Sequence, residues 1–176
     1  MWLGALVAST ACGCGGPARD ASSACGCEAP SAAKSTAPRA VVIRWQRIAD
    51  TQGQTCGRCG STEQAIDAAA ARLRQSLSPL EVTVSVQKVA MPTSDLDKCV
   101  EESNRIWLND RPLEQWLSAN VGTSACTGFC GDRTCRTLEV DGQSYDTIPA
   151  DLIVRAGLLA AADSIRRPAQ ATCCGG

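Results

Sequence analysis

Cysteine carries the chemistry open to this chain: twelve of its 176 residues are cysteine and none is histidine. They fall in close groups: Cys12-Gly-Cys14, Cys25-Gly-Cys27, Cys56-Gly-Arg-Cys59, Cys126 with Cys130 and Cys135, and the adjacent Cys173 and Cys174, with Cys99 alone. Without imidazole there is no Cys-His or Ser-His nucleophile pair, no histidine general base and no mixed Cys/His zinc site. What remains is thiol-disulfide exchange or the binding of a soft ion by thiolates.

Each group admits more than one use. In the redox reading, Cys56 ends a strand near a helix N-terminus, where the helix dipole and Arg58 favour its thiolate, and Cys59 resolves the mixed disulfide. In the metal reading the same Cys56-Gly57-Arg58-Cys59-Gly60 is a zinc knuckle, whose glycines suit a turn of backbone amides round a tetrahedral ion better than a helix start. The plain alternative is an inert surface pair.

Cys126, Cys130 and Cys135 supply three thiolates from one loop, which suits trigonal arsenite or mercury, or zinc with Cys99, Cys56 or Asp132 as a fourth ligand. One disulfide across the loop with a leftover thiol is the alternative. Cys173 and Cys174 pair only with strain, so as free thiols they chelate soft ions. Cys12 with Cys14, and Cys25 with Cys27, would close small strained rings, which favours ion binding and a reducing compartment; incidental tails are the competing reading.

The elements that must position these sulfurs follow from hydrophobic periodicity. Residues 1–40, rich in Ala, Ser, Gly, Pro and Cys, lack any helical or strand period and read as a tail. Order is expected from Val41-Val42-Ile43-Arg44-Trp45-Gln46-Arg47-Ile48, a β-branched strand. After the Cys56/Cys59 loop, Ile66, Ala69, Ala70, Leu73 and Leu77 mark one face of a helix, with a capping-box spacing at Ser61 and Gln64 and a stop at Ser78-Pro79. Residues 81–89 alternate as a half-buried strand, so strand, helix and strand form a crossover.

Arg105-Ile106-Trp107-Leu108 reads as a further strand, turned by Asn109-Asp110 into an edge strand at Arg111-Pro112-Leu113 and a short helix through Trp116 and Leu117. Beyond the 126–135 loop come strands at 138–140 and 144–148 joined by an Asp141-Gly142 hairpin turn. Pro149 opens a last helix with Leu152, Ile153, Ala156, Leu159, Ala160 and Ile165 on its apolar face. The pattern defines an α/β fold class, a mixed sheet flanked by helices with an inserted Cys-rich loop and β-hairpin. Its domain spans 41–166, followed by a short tail at 167–176.

This order of elements resembles the thioredoxin-like fold. The words Trp45-Gln46-Arg47, Thr55-Cys56-Gly57-Arg58-Cys59-Gly60, Glu102-Ser103-Asn104-Arg105-Ile106-Trp107-Leu108, Cys135-Arg136-Thr137-Leu138 and Ile148-Pro149-Ala150-Asp151-Leu152-Ile153 are similar to those of an uncharacterised bacterial and archaeal thioredoxin-like family, a domain of unknown function. The resemblance covers about residues 41–165. It implies a thiol protein associated with mercury or arsenic resistance genes. Redox-active thioredoxins carry a cis-proline before the third strand, where this chain has Ser103-Asn104.

Composition narrows the rest. A net charge of −1 with 3% aromatic residues leaves no footprint for nucleic acid. The longest apolar run, 156–162, is far short of a membrane span of roughly 20 residues. Residues 2–12 match a lipoprotein cleavage site in part, but without a basic n-region. Export or lipid anchoring through Cys12 is therefore the minor alternative to the cytoplasm. The expectation is a protein binding soft metal or metalloid ions (mercury, arsenite or zinc) through Cys56, Cys59, Cys126, Cys130, Cys135, Cys173 and Cys174, with no cofactor required. Thiol reductants or metal-resistance proteins are its expected partners, and thiol-disulfide oxidoreduction at Cys56/Cys59 or a structural zinc domain are the alternatives.

Overall fold

A computed structural model describes residues 39–92, 102–126 and 133–166. The β-branched run forms β1 (Ala40–Ala49), in which Val41, Ile43 and Trp45 are wholly buried while Val42, Arg44 and Gln46 on the other face are half-buried. This alternation is the period of two expected of a strand with one face on the core. β1 lies between β2 (Thr83–Pro92), parallel to it, and β3 (Arg105–Leu108), antiparallel to it. β4 (Arg111–Pro112) completes a mixed sheet of order β2-β1-β3-β4. Proline is tolerated in β4 because the strand is at the edge.

Two helices close the core: α1 (Gly57–Leu77) and, after the short α2 (Leu113–Leu117), the last helix α3 (Ala150–Arg166). All five apolar positions read as the face of α1 are buried, in one cluster with Val41, Ile43 and Trp45 of β1 and Ile153, Ala156, Ala160 and Ala161 of α3. The face of α3 is narrower than the expected one. Leu152 is half-buried, and Leu159 and Ile165 are exposed.

The start of α1 corrects the expectation drawn from the capping box. The helix begins one turn before Ser61: Cys56 is its N-cap, with extended backbone (φ −66°, ψ 160°), and Gly60 N–H donates to the Cys56 carbonyl at 2.9 Å. Gly57 and Gly60 are therefore helical residues and not the corners of a knuckle. Thr62, in the second turn of the helix so begun, is buried, and its hydroxyl accepts the Ile148 N–H at 3.3 Å.

Between α2 and α3 stands a second, antiparallel sheet of β5 (Asn120–Ala125), β6 (Thr134–Val140) and β7 (Gln143–Tyr145). The Asp141-Gly142 turn is present, both residues at positive φ (52° and 80°) as a type I′ hairpin requires. β6 reaches back to Thr134, so Cys135 lies in a strand and not in a loop, and β7 stops at Tyr145, short of the expected Ile148.

Where α3 crosses α1, Gly157 permits the approach. A methyl there would stand 2.9 Å from Leu73 Cδ2 and nearer still to Cδ1, on a side chain that is itself fully buried. Gly157→Ala is expected to destabilise the protein by about 1–3 kcal/mol from overpacking, outweighing the helix-propensity gain of ~1 kcal/mol, as read from the urea unfolding midpoint.

Candidate functional site: a cysteine pair at a helix N-terminus

β1 delivers the chain to the site and its last turns are pinned there. Thr55 Oγ1 donates to the Ile48 carbonyl at 2.8 Å, and Asp50 Oδ1 accepts the N–H groups of Gln52 and Gln54, both at 2.8 Å. Cys56 then caps α1 and Cys59 lies in its first turn, both thiols free and both nearly buried (7% and 5% exposed).

From the other side comes the segment entering β3. Asn104, at positive φ (59°), accepts the buried Trp45 Nε1–H at 3.1 Å on its Oδ1, and the Glu102 carbonyl accepts Gln46 Nε2–H at 3.2 Å. Ser103 is thereby set behind the cysteines: its Oγ accepts Ile48 N–H at 3.3 Å and lies 3.7 Å from Cys59 Sγ. No peptide bond among the described residues is cis. At the position compared with the cis-proline of thioredoxins stands a hydroxyl in contact with the inner sulfur.

The two thiols are held at very different acidities. Cys56 is lowered from 9.0 to about 5, first by the hydrogen bond that its sulfur receives from Cys59; burial opposes this, and the backbone N–H groups of Cys59 and Arg58 and the Arg58 charge add to it. Cys59 is pushed up, first because its proton is engaged by Cys56, then by burial and by the Cys56 charge, while the Ser103 and Thr55 hydroxyls act in the opposite direction. The outer sulfur is thus the thiolate and the inner one its proton donor.

Arg58 points away from the pair to the inserted sheet. Its NH1 donates to Ser124 Oγ at 3.0 Å and to the Ala125 carbonyl at 3.4 Å; its NH2 reaches Asp146 Oδ1 at 2.9 Å and the Arg136 carbonyl at 3.3 Å. Ser124 Oγ also donates to Asp146 Oδ1 at 2.7 Å. Cys126 and Cys135 lie next to two of these carbonyls and are joined in a disulfide, Cα–Cα 5.2 Å, with Cys126 N–H bonded to the Arg133 carbonyl at 2.7 Å.

Of the sequence-derived candidates, the structure therefore brings Cys56 and Cys59 together and joins Cys126 to Cys135. In this oxidised form the latter two are not thiolates. Cys12, Cys14, Cys25, Cys27, Cys99, Cys130, Cys173 and Cys174 lie outside the described residues. Among the described residues no group of three or more Cys, Asp or Glu side chains is placed to hold a metal ion, and no helix is long and apolar enough to cross a membrane. Ser103 as a partner of Cys59, and Ser124 and Asp146 as partners of Arg58, were not legible from spacing, because 44 to 88 residues separate them from the cysteine turn.

The molecule is thus an α/β domain with a mixed four-stranded sheet, a cysteine pair at the N-terminus of its first helix and a second, disulfide-bearing sheet. The chain belongs to a family described as a domain of unknown function (DUF2703), whose model matches residues 41–157. It is similar to an uncharacterized protein of the archaeon Archaeoglobus fulgidus, 36% identical over 113 residues that cover 64% of this chain and 82% of that protein. No solved structure matches it.

Proposed function

We propose that the protein is a thioredoxin-like thiol-disulfide oxidoreductase in which Cys56 attacks and Cys59 resolves. The observation that carries this reading is the placement of the pair, Cys56 as the N-cap of α1 and Cys59 buried behind it against Ser103. The sheet order β2-β1-β3-β4, with β1 and β2 parallel on either side of α1 in sequence and β3 antiparallel, supports the thioredoxin likeness.

In the reaction the Cys56 thiolate attacks one sulfur of a substrate disulfide, forming a mixed disulfide and expelling the other sulfur as a thiolate. Cys59 gives up its proton and attacks Cys56 sulfur, forming the Cys56–Cys59 disulfide and releasing the second substrate thiol. A low-molecular-weight dithiol or a thiol reductant protein restores the pair.

The test is reduction of insulin by dithiothreitol. The full chain is expected to accelerate it at least tenfold, and Cys56→Ser to return it to the rate of dithiothreitol alone. A wild-type protein that adds nothing to that rate removes the reading.

A second reading has one observation in its favour. The Cys56 and Cys59 sulfurs are within hydrogen-bond reach of each other, so two thiolates could hold one soft ion such as mercury, arsenite or zinc once Cys59 is deprotonated. Detoxification alongside metal-resistance proteins would then be the role, with Cys126, Cys130, Cys135, Cys173 and Cys174 as further ligands in the reduced chain. Metal content of protein purified under reductant distinguishes it: one equivalent of ion, lost in a Cys56→Ser/Cys59→Ser variant, is its signature.

A further inference from the structure

We propose that Cys56 and Cys59 pass their electrons to the Cys126–Cys135 bridge, so that the inserted sheet carries a second redox pair served by the first. The proposal rests on the oxidoreductase reading of the Cys56/Cys59 pair and adds to it a specific internal acceptor.

The carrying observation is the place of Arg58. It stands inside the cysteine turn, adjacent in sequence to Cys59, and its guanidinium donates to the carbonyls of Ala125 and Arg136, the residues immediately before Cys126 and immediately after Cys135. One arginine side chain therefore spans the distance from the dithiol to the main chain on both sides of the disulfide. Ser124 and Asp146 complete the clamp, in which the Arg58 side chain is only 15% exposed while Asp146 stands at the surface.

The two pairs stand in opposite states: Cys56 and Cys59 are thiols and Cys126–Cys135 is a disulfide. Cys126 is 6% exposed and Cys135 half-buried, so one sulfur of the bridge is screened from solvent and the other is within reach of it.

The step balances within the chain. A bond forms between Cys56 sulfur and one sulfur of the bridge, the Cys126–Cys135 bond breaks, and the other sulfur leaves as a thiolate. Cys59 loses its proton to that thiolate and attacks Cys56, giving a Cys56–Cys59 disulfide and expelling the second bridge sulfur as a thiolate, so that Cys126 and Cys135 end as one thiol and one thiolate, the latter protonated by solvent. Two electrons move, and no outside oxidant is needed. The reduced pair on the inserted sheet is then available to an external disulfide.

The relay is tested in the full chain with Cys59→Ser, which blocks resolution and should hold the internal mixed disulfide. After quenching with an alkylating agent and tryptic digestion, the 48–58 peptide bearing Cys56 is expected in disulfide linkage to the 134–136 peptide, or to Cys126 within the 106–133 peptide. An intact Cys126–Cys135 bridge, with Cys56 alkylated or linked to any other cysteine, overturns the relay. In a second measurement, the 126–135 bridge of the Cys56→Ser chain is expected to be reduced by dithiothreitol at least tenfold more slowly than that of the wild type; equal rates overturn the relay. The underlying reading is scored separately by a Cys126→Ser/Cys135→Ser chain in the insulin assay. Retained acceleration leaves the oxidoreductase standing whatever becomes of the relay, and its loss, with the Cys59→Ser cross-link present, confines the chemistry to the internal exchange.

Discussion

At pH 5.5 Cys56 should react with a dipyridyl disulfide far faster than an ordinary thiol does, and its rate should reach half of its plateau near pH 5. The pH is what makes the difference visible. A thiol at 9.0 that falls to about 5 is almost wholly ionised at pH 7, where an unperturbed one is about 1% ionised, a gain near 100-fold. The weaker base is also the weaker nucleophile, and a Brønsted slope of ~0.45 over four units takes back about 60-fold, so near neutrality the two rates are almost equal. At pH 5.5 the ionised fractions are about 0.76 and about 0.0003, and the same correction leaves Cys56 ahead by roughly 40-fold.

The probe must be read at Cys56 by peptide mapping, since the chain has twelve cysteines. A midpoint near pH 8 to 9 for Cys56 would show that Cys59 and the helix N-terminus do not hold its thiolate. The same shift has a consequence for stability, and its sign follows from the depressed value in the folded protein. Thiolate stabilisation of the reduced protein is fully present above pH 9 and is lost as pH falls from about 9 to about 5, so this group makes the reduced chain less stable toward acid within that window.

How far the site could be read beforehand depends on where each contact originates. The β-branched run 41–48 and the apolar stripe from Ile66 to Leu77 became β1 and α1, since both record burial against one core through strict periods of 2 and 3.6. β5 leaves no such periodic record. Its sequence Asn-Val-Gly-Thr-Ser-Ala has no alternation of apolar residues, and it exists because it pairs with β6, from Asn120 opposite Glu139 to Ala125 opposite Thr134. The capping box at Ser61 is a local signal that the fold overrules: α1 begins at Gly57, with Cys56 as its N-cap and Cys59 in its first turn.

The cysteine turn itself was visible as a motif, but its asymmetry was only half legible. Arg58 beside Cys56 can be read from the sequence, whereas the Ser103 hydroxyl near Cys59 depends on a strand register 44 residues away. The choice between a loop disulfide and three free thiolates at Cys126, Cys130 and Cys135 was open for the same reason. It turns on β5–β6 pairing, which places Cys135 opposite Ser124 and so brings it beside Cys126.

Trp45 is where the core and the site are coupled, and its replacement should be felt in both. It is wholly buried in β1, opposite Ile106 of β3, and its indole N–H donates at 3.1 Å to Asn104, a residue that is itself 6% exposed and at positive φ. Trp45→Ala should cost about 3–5 kcal/mol from the cavity alone. Leaving the Asn104 amide oxygen without its donor adds about 1–3 kcal/mol, and for a domain whose total stability is of order 5–15 kcal/mol the sum brings the folded state close to its limit.

Trp45→Phe separates the two effects. It keeps most of the ring volume and removes the donor, so a loss of about 1–3 kcal/mol in the denaturant midpoint is expected from the orphaned Asn104 oxygen. Because Asn104 follows Ser103 directly, and Ser103 accepts Ile48 N–H while touching Cys59, the loosened segment should also withdraw a hydroxyl from the inner sulfur. That hydroxyl acts to lower the pKa of Cys59, so Trp45→Phe should make Cys59 a poorer resolving thiol. Mixed disulfide with a small substrate should then persist longer than in the wild type, while the attack by Cys56 keeps its pH midpoint. A Trp45→Phe chain that is destabilised yet resolves its mixed disulfide at the wild-type rate would show that Trp45 serves the core alone and that the Asn104 contact does not position Ser103.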